Sequence, residues 1–221
     1  MTEVGLLEGL ATTRAIRRFR PERVGDEDLA ALLFAATRAP SGSNRQPFRF
    51  LVLRDGPRAT EAKALLGGAF RAAWRDKAAA EGDAVDERSR RARTARALAT
   101  FVERFEEVPV VVLACLVRYR GPTPTEGASI YPACQNLLLA ARARGLGGVM
   151  SMWHAAVEDE LRTLLGIPEG VAVSATLALG HPEGAHGPVR RRPLRELVFE
   201  DAWASPAPWA IDPPGTRFTS G

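Results

Sequence analysis

Three short segments carry side chains whose types and spacing suit the recognition of an anionic, polar ligand. The first runs Thr13-Arg14-Ala15-Ile16-Arg17-Arg18-Phe19. Guanidinium groups clustered among small and apolar neighbours can hold a dianionic phosphate through charge-assisted, partly bidentate hydrogen bonds. Taken alone, the same run also fits a solvated basic turn. The second is Ala39-Pro40-Ser41-Gly42-Ser43-Asn44-Arg45-Gln46-Pro47-Phe48. Its prolines fix the backbone, Gly42 permits close approach, and Ser41, Ser43, Asn44 and Gln46 offer convergent polar groups. A plain turn needs few of these; a cradle for a heterocycle or polyol chain needs most. The third, Gly187-Pro188-Val189-Arg190-Arg191-Arg192-Pro193-Leu194, confines three arginines between prolines. It reads as a second anion site or as a basic surface loop.

The elements that must position these segments follow from periodicity and punctuation. A short helix is expected over Glu3 to Ala11. A better-marked one follows, with Asp26 as cap, Glu27 and Asp28 in its first turn and Leu29, Leu32, Leu33 and Ala36 at core spacing. Pro40 ends it, Phe48 to Leu53 reads as a strand, and Asp55-Gly56-Pro57 as its turn. Residues 58–105 read as helical, broken near Glu81-Gly82-Asp83. Val108 to Val117 is a continuous apolar strand, as expected when both faces are buried. A helix from Glu126 to Arg144 is stopped by Gly145 to Gly148, and a short helix over 157–165 and a strand over 171–179 complete the core. This order is mixed α+β, not regular βα alternation. No linker or repeat divides the chain, so residues 1–221 are expected to form one domain. The tail over 200–221 holds Pro206, Pro208, Pro213 and Pro214 with Trp203 and Trp209; such a segment cannot form its own core and is expected to lie on something else.

These segments, in this order, resemble the FMN-dependent nitroreductase family: the arginine-rich motif near the N-terminus, the Pro40 to Phe48 stretch leading into a strand, a glycine-rich turn after a long central helix, and an arginine-proline pair after the last core strand. The match covers about residues 11–199. It implies a nitroreductase-like fold, a central mixed, mostly antiparallel sheet flanked by helices, in an intertwined homodimer with two FMN sites at its interface. By the resemblance, Arg14 and Arg17, with Ala15 where serine is common, join Arg190 and Arg192 in holding the FMN phosphate and ribityl chain; Arg191 is an alternative within its run, and Arg18 can compensate for Ala15. Pro40, Ser41, Gly42, Ser43, Asn44 and Gln46 correspond to the part that the partner subunit supplies. Met150, Ser151 and Met152 pass the isoalloxazine ring near N5, with Trp153 and His154 following, and Pro132 and Gln135 are lesser pocket-lining candidates. Arg17 is the candidate cation beside the charge that develops near N1 and the C2 oxygen. Hydride from NADPH or NADH would reach the flavin and then a small organic acceptor, such as a nitroaromatic or quinone, in ping-pong order. The flavin carries the chemistry, so no catalytic nucleophile or metal is expected. The tail over 200–221 would pack on the partner subunit.

Rival readings are weaker. Gly145-Leu146-Gly147-Gly148-Val149-Met150 does not complete a dinucleotide fingerprint and follows a helix, not a strand. His154 and Glu158 have a metal-capable spacing but lack further ligands nearby. The basic run Arg88, Arg90, Arg91, Arg93 and Arg96 is interspersed with acids and reads as a solvated helix face, not a nucleic-acid surface. Cys115 and Cys134 lack CxxC spacing and read as buried structural thiols. Trp74 and Phe70 are either core or aromatic walls over the flavin. Within the same fold, a dehalogenase is disfavoured because Tyr119 and Tyr131 lie outside the region of 60–100 where a lid would fall; flavin-fragmenting enzymes, oxidases and non-enzymatic FMN storage stay open. The formal net charge of +4 suits phosphorylated small molecules as well as nucleic acid. No apolar stretch is long enough to span a membrane and the N-terminus lacks a secretory pattern, so the expected location is the cytoplasm.

Overall fold

The strand Val110–Val117 organises the molecule. A computed structural model describes residues 4–81 and 90–218. Helices α1 (Leu6–Thr12) and α2 (Asp26–Ala36) precede strand β1 (Phe48–Leu53). Helices α3 (Pro57–Glu81) and α4 (Arg90–Glu103) lead to β2 (Val110–Val117), then α5 (Tyr131–Ala143), β3 (Gly147–Ser151), α6 (Glu158–Leu165) and β4 (Val171–Gly180). The strands lie in the order β1-β2-β4-β3, antiparallel at every pair, and a parallel bridge from Ala15 to Gly148 makes the margin mixed.

The two-residue alternation of β2 explains the layers. Val110, Val112, Ala114 and Leu116 face α2 and α5, meeting Leu29, Leu32, Ala36, Cys134 and Leu137. Val111, Leu113 and Cys115 face the other way, onto Leu66, Phe70, Phe101, Phe105 and Leu161. Each fully buried side chain of this size contributes about 1.5–3 kcal/mol, so a strand buried on both faces reads as one continuous apolar run. Burial also pushes the Cys115 thiol up to about 11 and the Cys134 thiol to about 12, as suits inert structural cysteines.

Three expectations need correction. The glycines at 147 and 148 do not merely stop a helix; they open β3, an edge strand. The apolar run starts its ladder at Val110 because Pro109 has no N–H to give. The helix expected from Glu126 begins as a 3-10 turn, Glu126–Ser129, before α5. The break expected at 81–83 lies mostly outside the described residues, as does part of the basic run 88–96.

Candidate active site

Segments one and three are stitched together at the end of the sheet where β3 begins and β4 ends. Ile16 N–H donates to the Gly148 carbonyl (2.9 Å), Arg20 N–H to His181 O (2.8 Å), Glu183 N–H to Arg18 O (3.1 Å) and Val189 N–H to Ala11 O (2.8 Å). The seam requires the glycines. A Cβ on Gly147 would fall 2.7 Å from Ile16 Cγ1, and one on Gly148 2.6 Å from Leu179 Cδ2 and 2.7 Å from the Ala178 carbonyl. Because Gly148 turns its carbonyl outward from the sheet to Ile16, the strand alternation turns the N–H and C=O of Met150 outward as well. Edge-strand backbone of this kind can meet the polar rim of a heterocycle.

The arginines of this end differ in how they are engaged. Exposed Arg14 donates to the Ala185 carbonyl (3.0 Å) and pairs with no carboxylate among the described residues. Arg17 is half-buried, burial pushing its guanidinium pKa down from the usual value, and it too lacks an acidic partner there. It lines a small cavity of about 150 Å³ with Arg18, Phe19, Arg104 and Glu107. Among the described residues exposed Arg190 has no acid partner, Arg191 donates to the Arg190 carbonyl (2.9 Å), and Arg192 is paired with Glu196 (2.9 Å). Among the described residues the buried Thr13 Oγ1 of the seam has no hydrogen-bond partner. His186 Nε2 meets the Leu146 carbonyl at 2.9 Å, and burial pushes its pKa down.

Segment two lies elsewhere. It folds as a 3-10 turn, Gly42–Asn44, and holds Ser43, Asn44 and Gln46 at φ of 52°, 51° and 49°. Left-handed backbone at non-glycine residues costs of order 1–3 kcal/mol and clusters at functional sites. Ser41 Oγ accepts from Gln46 N–H (2.9 Å), Gln46 Nε2 donates to Asn44 Oδ1 (3.2 Å), and Gly42 N–H donates to Ser129 Oγ (3.3 Å). Ser43, Asn44 and Gln46 remain exposed. The turn feeds Phe48, which pairs with Leu116 at the far end of β2 from Val110, itself opposite Leu179. The six residue steps from Leu116 to Val110, about 20 Å at the usual rise, therefore separate segment two from the arginine seam within one chain.

At the end of β3, Met150 packs partly on the α2–α5 core and Ser151 Oγ accepts from Trp153 N–H (3.3 Å); Met152, just beyond the strand, is half exposed. Trp153 meets Phe70 edge-on, centroids 5.6 Å apart. Phe70 is fully buried, which assigns it to the core, whereas Trp74 is half-buried. His154 is buried, with Nε2 2.8 Å from the Val173 carbonyl, and Glu158 is bound to Arg162 (2.8 Å) and Val173 N–H (3.3 Å). Among the described residues no metal-binding group forms. Pro132 is half-buried at the start of α5 and Gln135 is exposed.

Beside segment two lies a cavity that none of the three motif segments announces by itself. About 370 Å³ in volume, it is walled by Pro40, Ser41, Gly42 and Pro47 on one side and by residues of 116–129 on the other. Arg118 and Glu126 pin its far wall with a bidentate pair (2.9 and 2.7 Å). The pattern Arg118-Tyr119-Arg120 directly after the strand was the available signal.

This fold and these motifs match known proteins. The Nitroreductase family model matches residues 10–181.

The chain belongs to the nitroreductase family.

An NADH dehydrogenase from Thermus thermophilus is 31% identical over 199 residues, covering 84% of this chain and 91% of that protein. Iodotyrosine deiodinase from Thermotoga neapolitana is 27% identical over 195 residues, 87% and 96% of the two chains. The crystal structure of a protein designated a nitroreductase from Desulfovibrio desulfuricans, in complex with FMN, superposes with a TM-score of 0.65 at 30% identity, covering 91% of this chain and 99% of that one. No described helix of this nitroreductase-family chain is long and apolar enough to cross a membrane.

Proposed function

We propose that this chain is an FMN-dependent oxidoreductase that draws hydride from NADPH or NADH and reduces a small organic acceptor, a nitroaromatic, quinone or similar compound, in ping-pong order. The observation that carries the reading is the group of cations without acidic partners among the described residues, Arg14, Arg17 and Arg190, at the glycine-lined end of the sheet. Buried or clustered cations left uncompensated are costly in a free protein and suit a bound phosphate. Thr13 Oγ1, buried at the same seam without a partner among the described residues, fits a polar ligand.

FMN, when bound, supplies two-electron transfer through its isoalloxazine ring. The protein's part is binding and electrostatics. Arg14 and Arg190 hold the phosphate; Arg192, tied to Glu196, plays the smaller part. Half-buried Arg17 is a fixed positive charge that costs no reorganisation when negative charge develops beside it. Met150 to Met152 present backbone groups and a half-exposed thioether along the outer edge of β3.

Segment two cannot join this site within one subunit, so Ser41 to Gln46 serve the site of a partner in a homodimer. Exposed Trp203, Trp209 and Ile211 on the tail fit a segment laid on that partner.

The test is an absorbance spectrum of the purified protein before and after anaerobic NADPH or NADH. Flavin bands that bleach on addition are the expected outcome. A colourless protein that also refuses added FMN would overturn the reading, and the basic segments would then need a nucleic-acid explanation.

A further inference from the structure

The cavity beside segment two has a rim whose charge is not balanced. Its lining is largely apolar, from Pro40, Pro47, Leu116 and Val117, and its volume of about 370 Å³ is that of a small-molecule site. Arg118 and Arg120 line it and a third arginine, Arg45, stacks on the lining Tyr119; of these Arg118 is neutralised by Glu126. The other two are not. Arg45 lies with its Cζ 4.2 Å from the Tyr119 ring centroid and Arg120 at 5.2 Å, and neither has a carboxylate within ion-pair reach among the described residues.

Two cations held near one another by a single aromatic ring repel, and exposed cation–π contacts offset this only in part. An anion at the rim removes the repulsion. The Arg118–Glu126 pair and the Gly42–Ser129 hydrogen bond brace the two walls, so the opening is preformed.

We propose that this cavity is the acceptor subsite and that it selects a planar aromatic acceptor bearing a carboxylate, the ring lodged between the prolines and Tyr119 and the carboxylate at Arg45 and Arg120. The inference rests on the reading above, in which segment two closes over the partner's flavin; the cavity shares Pro40 to Gly42 with that segment and so borders the same space.

The probes are benzoate and its neutral isostere benzamide, titrated calorimetrically into the purified holoprotein. Benzoate binds at least about tenfold more tightly at low salt, the lower scale of a hydrogen bond to a charged group. That advantage shrinks when salt is raised several-fold in the unaltered protein, because exposed charges are screened, and it disappears in the Arg45→Gln/Arg120→Gln double variant. Turnover then follows binding, with 4-nitrobenzoate preferred over 4-nitrobenzamide by a ratio that collapses in the double variant. Equal or undetectable binding of the two probes, or a preference that survives both the salt and the substitutions, overturns the proposal. So does a double variant that changes only the preference between NADPH and NADH, which would give the two guanidiniums to the donor. Bleaching of the flavin by NADH in the same preparation reports separately on the redox reading, so failure of one is distinguishable from failure of the other.

Discussion

At the scale of single residues, engagement decides which arginine matters. Arg14 is anchored by one hydrogen bond to a carbonyl and keeps donors free. Its replacement by alanine is expected to weaken FMN binding by about 1.5–3 kcal/mol, roughly 10- to 150-fold, the scale of a hydrogen bond to a charged group. Titration followed by flavin fluorescence checks this. Identical neighbours conceal the register within Arg190 to Arg192 in the sequence, but Arg192 is paired with Glu196; on the proposed phosphate role, Arg190→Ala should cost more than Arg192→Ala in the same titration. His154 offers a different test. Burial holds its pKa below the ordinary value of about 6.5, so the unfolded chain binds more protons than the folded one below that pH. Stability conferred by the neutral ring is therefore full above about pH 6.5 and is lost as pH falls. His154→Gln, whose amide can still donate to the Val173 carbonyl, should lose less melting temperature between pH 7.5 and 5.5 than the parent. An unchanged slope would pass the effect to His186, whose pKa is lowered by burial as well.

At the scale of elements, the glycines before Val149 have two separable duties. Gly148→Ala drives a methyl into backbone, the Ala178 carbonyl, and should cost about 1–3 kcal/mol of stability as overpacking does. The three atoms nearest a Gly147→Ala methyl all belong to the Ile16 side chain, so this change should displace the arginine segment and lower flavin affinity with a smaller change in melting temperature. Equal stability losses in the two variants would contradict this division. The same glycines show why β3 was illegible in the sequence. Gly147 and Gly148 have low strand propensity, and five residues following a helix stop carry no alternation to read. By contrast β2 announces itself through its apolar run, and α2 through the spacing of Leu29, Leu32 and Ala36; the expected cap, Asp26, is instead the first helical residue, paired with Arg54, and Gly25 holds the cap position without a side-chain bond. The arginine segment and segment two were legible by residue type, but their placement depends on the register of β1 on β2 and of β3 on β4. The cavity under Tyr119 depends on tertiary contacts alone. Phe70, left open between core and flavin wall, is settled by burial beneath Phe105 and Trp153.

At the scale of the whole molecule, one sheet holds the two halves of the candidate site at opposite ends, and this has a stoichiometric consequence. In a twofold dimer, a site built from the arginine seam of one subunit and segment two of the other occurs twice. Arg14→Ala then damages both sites of its homodimer from one side, and Asn44→Gly damages both from the other. Glycine is chosen at 44 because the native φ of 51° stays allowed while the amide is removed. When the two variants are unfolded, mixed in equal amounts and refolded, about half of the dimers are hybrids. In each hybrid one site carries both substitutions and the other carries neither. About one quarter of all sites should therefore regain the parental FMN affinity, visible as a high-affinity phase in a titration that neither parent variant shows. Had both halves come from one subunit, every site in the mixture would carry a substitution and no such phase could form. Complementation thus separates a shared site from a self-contained one without requiring any knowledge of the acceptor.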